Sequence, residues 1–394
     1  MLGLDRSLSS PPVLARLSFD RSPAGCNALV AYVNCMNQMS AGDLGLGLSV
    51  CGRASPGPVL EMVRMPPTYS NMQTLKISHR EHRELGDVSW LRDFGQAQAL
   101  ARTDGKPILL LFQEVPGCST CVNFGHDVLS HSLMVEIIEE HFVPLAILNN
   151  HPGSDAEVLR QFGEAAWNNP VIHFVTADGK PVVERLANRY DPLGLFSKIG
   201  QVMERGGIAI PQWFTMLGRD LVVEAGLAET ATFTTPCFWS GETSLAQHPS
   251  VITTDAGWVD GEEVVRVQFD PSGNGRSHLI EHARTEGFAP IGGGGFEVDR
   301  EPQFYLRKTS MRYLPLSPAQ RTAINLAVPY DGNAKGMLSP RQRAWLNDPG
   351  LAQAGDDAFY RREIRTAWRM IDDRLGKPAH AISVMAIQKE SEER

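Results

Sequence analysis

Five consecutive apolar residues, Ile108 to Phe112, stand between polar stretches, a pattern that suits a strand buried on both faces at the centre of a sheet. Upstream, Leu91, Phe94, Ala97 and Ala101 recur at helical spacing, and Asp104-Gly105 supplies a stop before Lys106-Pro107. Downstream, one helix is expected to about Leu129. A second starts at Ser130 or Ser132 and carries Leu133, Ile137, Ile138 and Phe142, after which Phe142 to Leu148 reads as a strand. Ser154-Asp155-Ala156-Glu157 is a capping-box pattern for a short helix ending near Gly163. Trp167-Asn168-Asn169-Pro170 then precedes the strand Val171 to Val175, a position where proline suits a cis bond. Thr176 to Lys180 turns into a partner strand, Pro181 to Leu186. Asp191-Pro192 gives an N-cap with proline at the first position of a helix to about Arg205.

Beyond Gly206-Gly207 the pattern predicts a connector, residues 208–228, with helical content from Gln212 to Leu217. A second unit, 229–330, opens with a strand at Ala231 to Thr234 and places Pro236-Cys237-Phe238-Trp239 at the turn into a helical stretch, Gly241 to Gln247. Strands at Val251 to Trp258 and Val264 to Phe269, a helix from Ser277 to about Glu286 and a last strand within Phe304 to Leu314 complete a βαββαβ order, the ferredoxin-like arrangement. The tail, 331–394, reads as helical: Ser339-Pro340 starts one segment, and Ile364, Trp368, Ile371 and Leu375 share a face of another. Lys389 to Arg394 reads as a solvated end. Residues 1–80 show neither period and are expected to be poorly ordered. Met65 and Met72 each precede the compositional change, which suggests that the first 64 to 71 residues do not belong to the functional protein. Peptides from residues 2–60 in the natively expressed protein would exclude that reading.

A chain of 394 residues accommodates two or three domains. Its net charge of −8, with no basic stripe, argues against nucleic acid and anionic membrane surfaces as partners. No apolar run approaches the roughly 20 residues of a membrane span, and the apolar stretch Ala28 to Val33 is too short and interrupted for a secretory signal. A soluble, cytoplasmic protein is expected. Six cysteines (Cys26, Cys35, Cys51, Cys118, Cys121, Cys237) are too few for a disulfide scaffold at this length, so redox or catalytic use is the better fit.

Candidate chemistry centres on Val115-Pro116-Gly117-Cys118-Ser119-Thr120-Cys121, between the apolar strand and a helix. Two thiols at this spacing close a disulfide without backbone movement, and free helix N–H groups favour the thiolate of Cys118. Cys118 is therefore the candidate attacking thiol, and Cys121, one turn further in, the resolving thiol. Half of a zinc site is the competing reading, because His126 and His131 follow closely, but they lie further along the helical region and no second CxxC exists. A non-catalytic protein holding Cu(I) on the two thiolates is a third. No resident metal or cofactor is expected in the redox reading.

The order of elements, the CxxC after the first strand and the Asn169-Pro170 before the later hairpin resemble the thioredoxin fold over about residues 85–207, within a domain expected at 81–207, and VPGC-x-x-C resembles a group of bacterial thioredoxin-like proteins with cysteine or selenocysteine at the first position. Ser119-Thr120 replaces the usual Gly-Pro. The resemblance implies that Pro170 is the cis proline facing the disulfide and helps to bind an incoming peptide. Residues from about Thr230 to Gln320, with Cys237-Phe238-Trp239, Gly257-Trp258 and Glu262 to Pro271, are similar to A-type methionine sulfoxide reductases. That similarity implies Cys237 as nucleophile, Phe238 and Trp239 as the pocket for the methyl group, and Trp258 in place of a tyrosine that binds the sulfoxide oxygen. The loop that carries that family's catalytic glutamate is cut short, which leaves Glu242 and Glu263 as candidate acids, or Cys237 as a small buried hydrophobe in a domain without chemistry.

The fold expected is thus α/β plus α+β: a thioredoxin fold, a ferredoxin-like domain and a helical tail. No cysteine follows Cys237, so a relay is expected in which Cys118 attacks oxidised Cys237 and Cys121 resolves the mixed disulfide. The expected partners are an oxidised protein or peptide substrate and an external thiol reductant. The rival enzyme reading is a general disulfide reductase whose C-terminal unit only binds the target.

Overall fold

The computed structural model describes residues 82–292, 294–330, 332–355 and 362–376. The segment 1–80 with Cys26, Cys35, Cys51, Met65 and Met72, and the end at Lys389 to Arg394, lie outside the described residues.

The apolar run becomes β1 (Ile108–Gln113), every residue of it buried, at the middle of a three-stranded sheet. β2 (Val143–Leu148) pairs with it in parallel and β3 (Val171–Val175) antiparallel. Leu109 and Leu111 face one apolar layer with Trp90, Phe142 and Phe174, while Ile108, Leu110 and Phe112 face a second with Ala97, Ala101, Leu145 and Ile147. This is why the run lacks the alternation of a half-exposed strand. α1 (Phe94–Asp104) is capped by Asp93, whose side chain accepts from Gln96 N at 2.7 Å. α2 (Ser119–Asp127), α3 (Ser132–His141), α4 (Ser154–Gln161) and α5 (Pro192–Arg205) complete the layers. Asp191 caps α5 as its sequence predicts.

Local readings differ from the structure at two places here. Ser154 is the first residue inside α4, and the N-cap is Gly153 at φ +81°, a backbone conformation that glycine adopts without strain, so no Ser154 capping box forms. The partner strand at 181–186 is reduced to two isolated bridges, Val175 with Pro181 and Ile172 with Leu186.

Residues 208–228, read as a connector, carry α6 (Gln212–Glu224). Its Trp213, Phe214, Leu217 and Leu221 are buried in the same apolar layer as Leu109 and Leu111. Phe214 stacks on Phe196 at 4.4 Å, and a Cβ on Gly218 would lie 2.3 Å from the Phe196 ring, so only glycine permits this approach.

β4 (Glu229–Thr234), α7 (Phe238–Ala246), β5 (Val251–Val259), β6 (Glu262–Phe269), α8 (Gly275–Thr285), β7 (Ala289–Ile291) and β8 (Glu297–Val298) form a second sheet in the order β7-β4-β6-β5-β8. All its neighbours are antiparallel. The strand expected within Phe304 to Leu314 is instead α9 (Phe304–Arg307) and a 3-10 turn, Ser310–Tyr313, which send Leu306, Met311 and Leu314 into the layer around Trp90. The fourth strand of that order is instead Ala289–Ile291, at the edge beside β4, three residues with a central proline before a glycine run, too short to show a period.

The rest is α10 (Pro318–Ala327), α11 (Pro340–Leu346), α12 (Leu351–Ala354) and α13 (Ile364–Leu375). Ser317 and Ser339 each form a capping box, with Gln320 and Gln342, and those two buried glutamines exchange side-chain hydrogen bonds. Trp345, Trp368 and Ile371 enter the layer around Trp90. Arg341 is buried on α3 among Glu136 at 2.9 Å, Glu139 at 3.2 Å and, from α13, Asp372 at 3.5 Å. Among the described residues no helix is long and apolar enough to cross a membrane.

Candidate active site

β1 delivers the chain to a tight loop before α2. A Cβ on Gly117 would lie 2.4 Å from the Glu114 carbonyl and 2.7 Å from Cys121 Cβ, so a side chain there has no room. The loop is pinned from three sides. Gly117 N donates to Glu84 Oε1 at 2.8 Å, Val115 N to Asn150 Oδ1 at 3.2 Å, and Gln113 Nε2 to Glu84 O at 2.8 Å and Cys121 O at 3.2 Å. The Val115-Pro116 and Asn169-Pro170 peptides are both cis, and Pro170 is buried.

Cys118 is the N-cap of α2 and is exposed; Cys121 is buried one turn on, with its sulfur 3.6 Å away. The two thiols sit in opposite environments. The backbone N–H of Cys121, aimed at the Cys118 sulfur, lowers the Cys118 pKa against a smaller opposing effect of burial. Burial, and then the neighbouring Cys118, push the Cys121 thiol up to about 12, and its S–H donates to Asn169 Oδ1 at 2.6 Å. The site thus holds one thiol ready to ionise beside one that keeps its proton.

Asn169 belongs to a loop that is tied down on its inner side. Asn149 Nδ2 donates to Asn168 O at 3.2 Å, Asn168 Nδ2 donates to Glu164 Oε2 at 3.1 Å, and Glu164 in turn holds His173 at 2.8 Å and Arg185 at 3.1 Å. Trp167 in this loop is nevertheless 84% exposed. Its indole finds no place in a core that buries every other tryptophan of the first sheet's layers.

The histidines do not join the thiols. His126 is exposed and pairs with Asp127 at 2.6 Å, and His131 faces Glu224 at 3.6 Å in a cavity of about 850 Å³ that Arg365, Arg369 and Asp191 also line. The group that does approach both sulfurs is Glu114, whose carboxylate lies within 4.8 Å of each. Sequence reasoning passed over it, because a carboxylate four residues before a cysteine in a loop carries no periodic signal.

Cys237 is the N-cap of α7, half-buried and free. Next to it, Phe238 N donates to Glu263 Oε2 at 2.8 Å. The Phe238 ring meets Trp258 edge-on at 5.2 Å and Trp239 at 5.8 Å, and Trp239 stacks on Phe304 at 4.2 Å. Trp258 turns its Nε1–H to Asp299 at 3.2 Å. Glu242 points into the interior, where it accepts from Ala256 N at 3.1 Å and Gln303 N at 2.9 Å, and burial holds its pKa well above the carboxylate range.

Among the described residues no hydrogen bond, ion pair or ring contact joins the Cys118–Cys121 pair to the Cys237 group. The second sheet meets α6 at the Val251 end of β5, where Arg219 donates to Val251 O. Thr234, just before Cys237, pairs with Val264 and so lies level with Gly257, about 20 Å further along the strand.

Residues 89–177 match the family described as Thioredoxin-like. A solved structure titled DsbH Oxidoreductase is similar at 18% identity over 34% of this chain and 95% of that one, with a TM-score of 0.26. No curated protein matches the chain. Fold and site together define a thioredoxin-like domain that carries a neighbouring pair of free thiols.

Proposed function

We propose that the chain reduces disulfides in proteins or peptides, with Cys118 as nucleophile and Cys121 as resolving thiol. The observation that carries this is the pair of sulfurs 3.6 Å apart, one favoured as thiolate and one held as thiol. The Cys118 thiolate attacks one sulfur of the substrate, forms a mixed disulfide and expels the other sulfur as a thiolate. Cys121 then gives up its proton and attacks Cys118 Sγ, which frees the second substrate thiol and leaves the Cys118–Cys121 disulfide. An external thiol restores the pair. In this reading Pro170, next to the Asn169 that accepts from Cys121, and the exposed Trp167 of the same loop help to bind the substrate. Cytoplasmic reducing conditions fit this direction of exchange. Cys121→Ser tests it: the variant should accumulate a mixed disulfide with substrate on Cys118, and failure to trap one would refute the assignment.

A second reading rests on Cys237 beside Glu263 and the aromatic cluster. In it the second sheet is a ferredoxin-like domain of the A-type methionine sulfoxide reductase kind, with Phe238, Trp239 and Trp258 as the methyl-group pocket. Glu263 is the preferred acid, since both Glu242 oxygens are already taken by backbone N–H groups. Reduction of a sulfoxide peptide by dithiothreitol that survives loss of Cys118 and Cys121 but not Cys237→Ser would support it. A relay from Cys118 to Cys237 requires the two groups to approach, and a disulfide between them trapped in Cys121→Ser would be its signature.

A further inference from the structure

We propose that the reduced Cys118–Cys121 pair is a Zn2+ site completed by Glu114. A tetrahedral ion about 2.3 Å from each of two sulfurs sets them about 3.8 Å apart. The observed separation is 3.6 Å, far nearer to that span than to the roughly 2.05 Å of a disulfide bond. The Glu114 carboxylate lies within 4.8 Å of both sulfurs, and a zinc-bound carboxylate oxygen would sit about 3.5 Å from each, so the adjustment needed is at most about 1.3 Å at the end of a flexible side chain. Three protein ligands with Cys118 exposed leave a fourth position open to water, the pattern of an open rather than a structural zinc site.

The donor set selects the metal. Two thiolates alone suit Cu(I), but a carboxylate is a hard oxygen donor that Cu(I) gains little from and that Zn2+ accepts readily. His126 and His131, the ligands the sequence suggests, play no part. The reaction balances without any electron transfer: the dithiol and Zn2+ give the zinc dithiolate and two protons, one of them the proton that Cys121 now shares with Asn169 Oδ1. Because the ion binds only the reduced form, Zn2+ at a hundred times its dissociation constant would shift the dithiol–disulfide equilibrium about a hundredfold toward the dithiol. The ion would shield the pair from oxidants and withhold it from substrate.

The test uses the full chain, reduced and stripped with a chelator, then titrated with Zn2+ against a chromophoric competitor. The expected result is one ion lost in the Cys118→Ser/Cys121→Ser variant and bound about tenfold or more weakly by Glu114→Gln, with circular dichroism and total free thiols of Glu114→Gln unchanged. Zn2+ bound equally by Glu114→Gln, or retained by the double variant on the remaining cysteines, would overturn the assignment. Disulfide reduction by the stripped protein is measured alongside. Activity without zinc binding sinks this inference alone, and zinc binding without activity sinks the reductase reading alone.

Discussion

Arg341 ties the end of the chain to the first sheet, and its replacement by methionine should show how much of the fold depends on that tie. The side chain is 7% exposed, and its partners Glu136 and Glu139 are 6% and 12% exposed, so no water is at hand to take over when the guanidinium is lost. Removing one member of a buried ion pair costs about 3–5 kcal/mol, because the remaining charge stays desolvated. For a core of this size that is roughly 6–20 °C in Tm. The pH dependence gives a second readout. Burial already raises the Glu136 pKa against the pull of Arg341, so without Arg341 it rises further. A raised folded-state pKa means stability present below the ordinary carboxylate pKa and lost as pH rises through the folded value. The Arg341→Met defect should therefore shrink toward pH 4.5 and grow toward neutrality, and adding Glu136→Gln should recover part of it at pH 7. Thermal melts of the three proteins across pH would measure this. A Tm loss below 2 °C, or a loss that is flat with pH, would mean that the buried Arg341–Glu136 pair does not hold the end of the chain to the first sheet.

Asp220 is fully buried, accepts from Ala319 N and is pushed up to about 6 by burial, so stability should fall by at most about 3 kcal/mol from pH 4 to pH 7 through this group; Asp220→Asn should remove that slope in pH-dependent denaturant titrations. Iodoacetamide at neutral pH should label Cys118 first, with a half-maximal pH below that of an ordinary cysteine, while Cys121 stays protected; equal labelling of the pair by mass spectrometry would contradict the assigned roles. Trp167→Ala should lower kcat/KM for a protein disulfide about tenfold, leaving a small aromatic disulfide reagent unaffected; equal loss on both would make Trp167 structural.

Much of the site's frame is legible in the sequence because short-range rules decide it. The apolar run made β1, the cysteine spacing put Cys118 at the start of α2, and Asp191-Pro192 capped α5. What sequence reasoning missed is set by long-range packing. α6 reads as a linker until Phe196 and Gly218 are seen against each other. The edge strand Ala289–Ile291 is three residues long, and its partner β4 alone makes it a strand. Glu114 becomes notable only when the loop folds it toward both sulfurs.

In the proposed function disulfide exchange runs through Cys118 and Cys121 and needs no third cysteine. Reduction of a protein disulfide by the full chain with dithiothreitol, compared among wild type, Cys118→Ser and Cys237→Ser, separates the two sites. Activity should be lost in Cys118→Ser and kept in Cys237→Ser. Activity kept without Cys118, or lost without Cys237, would rule this function out.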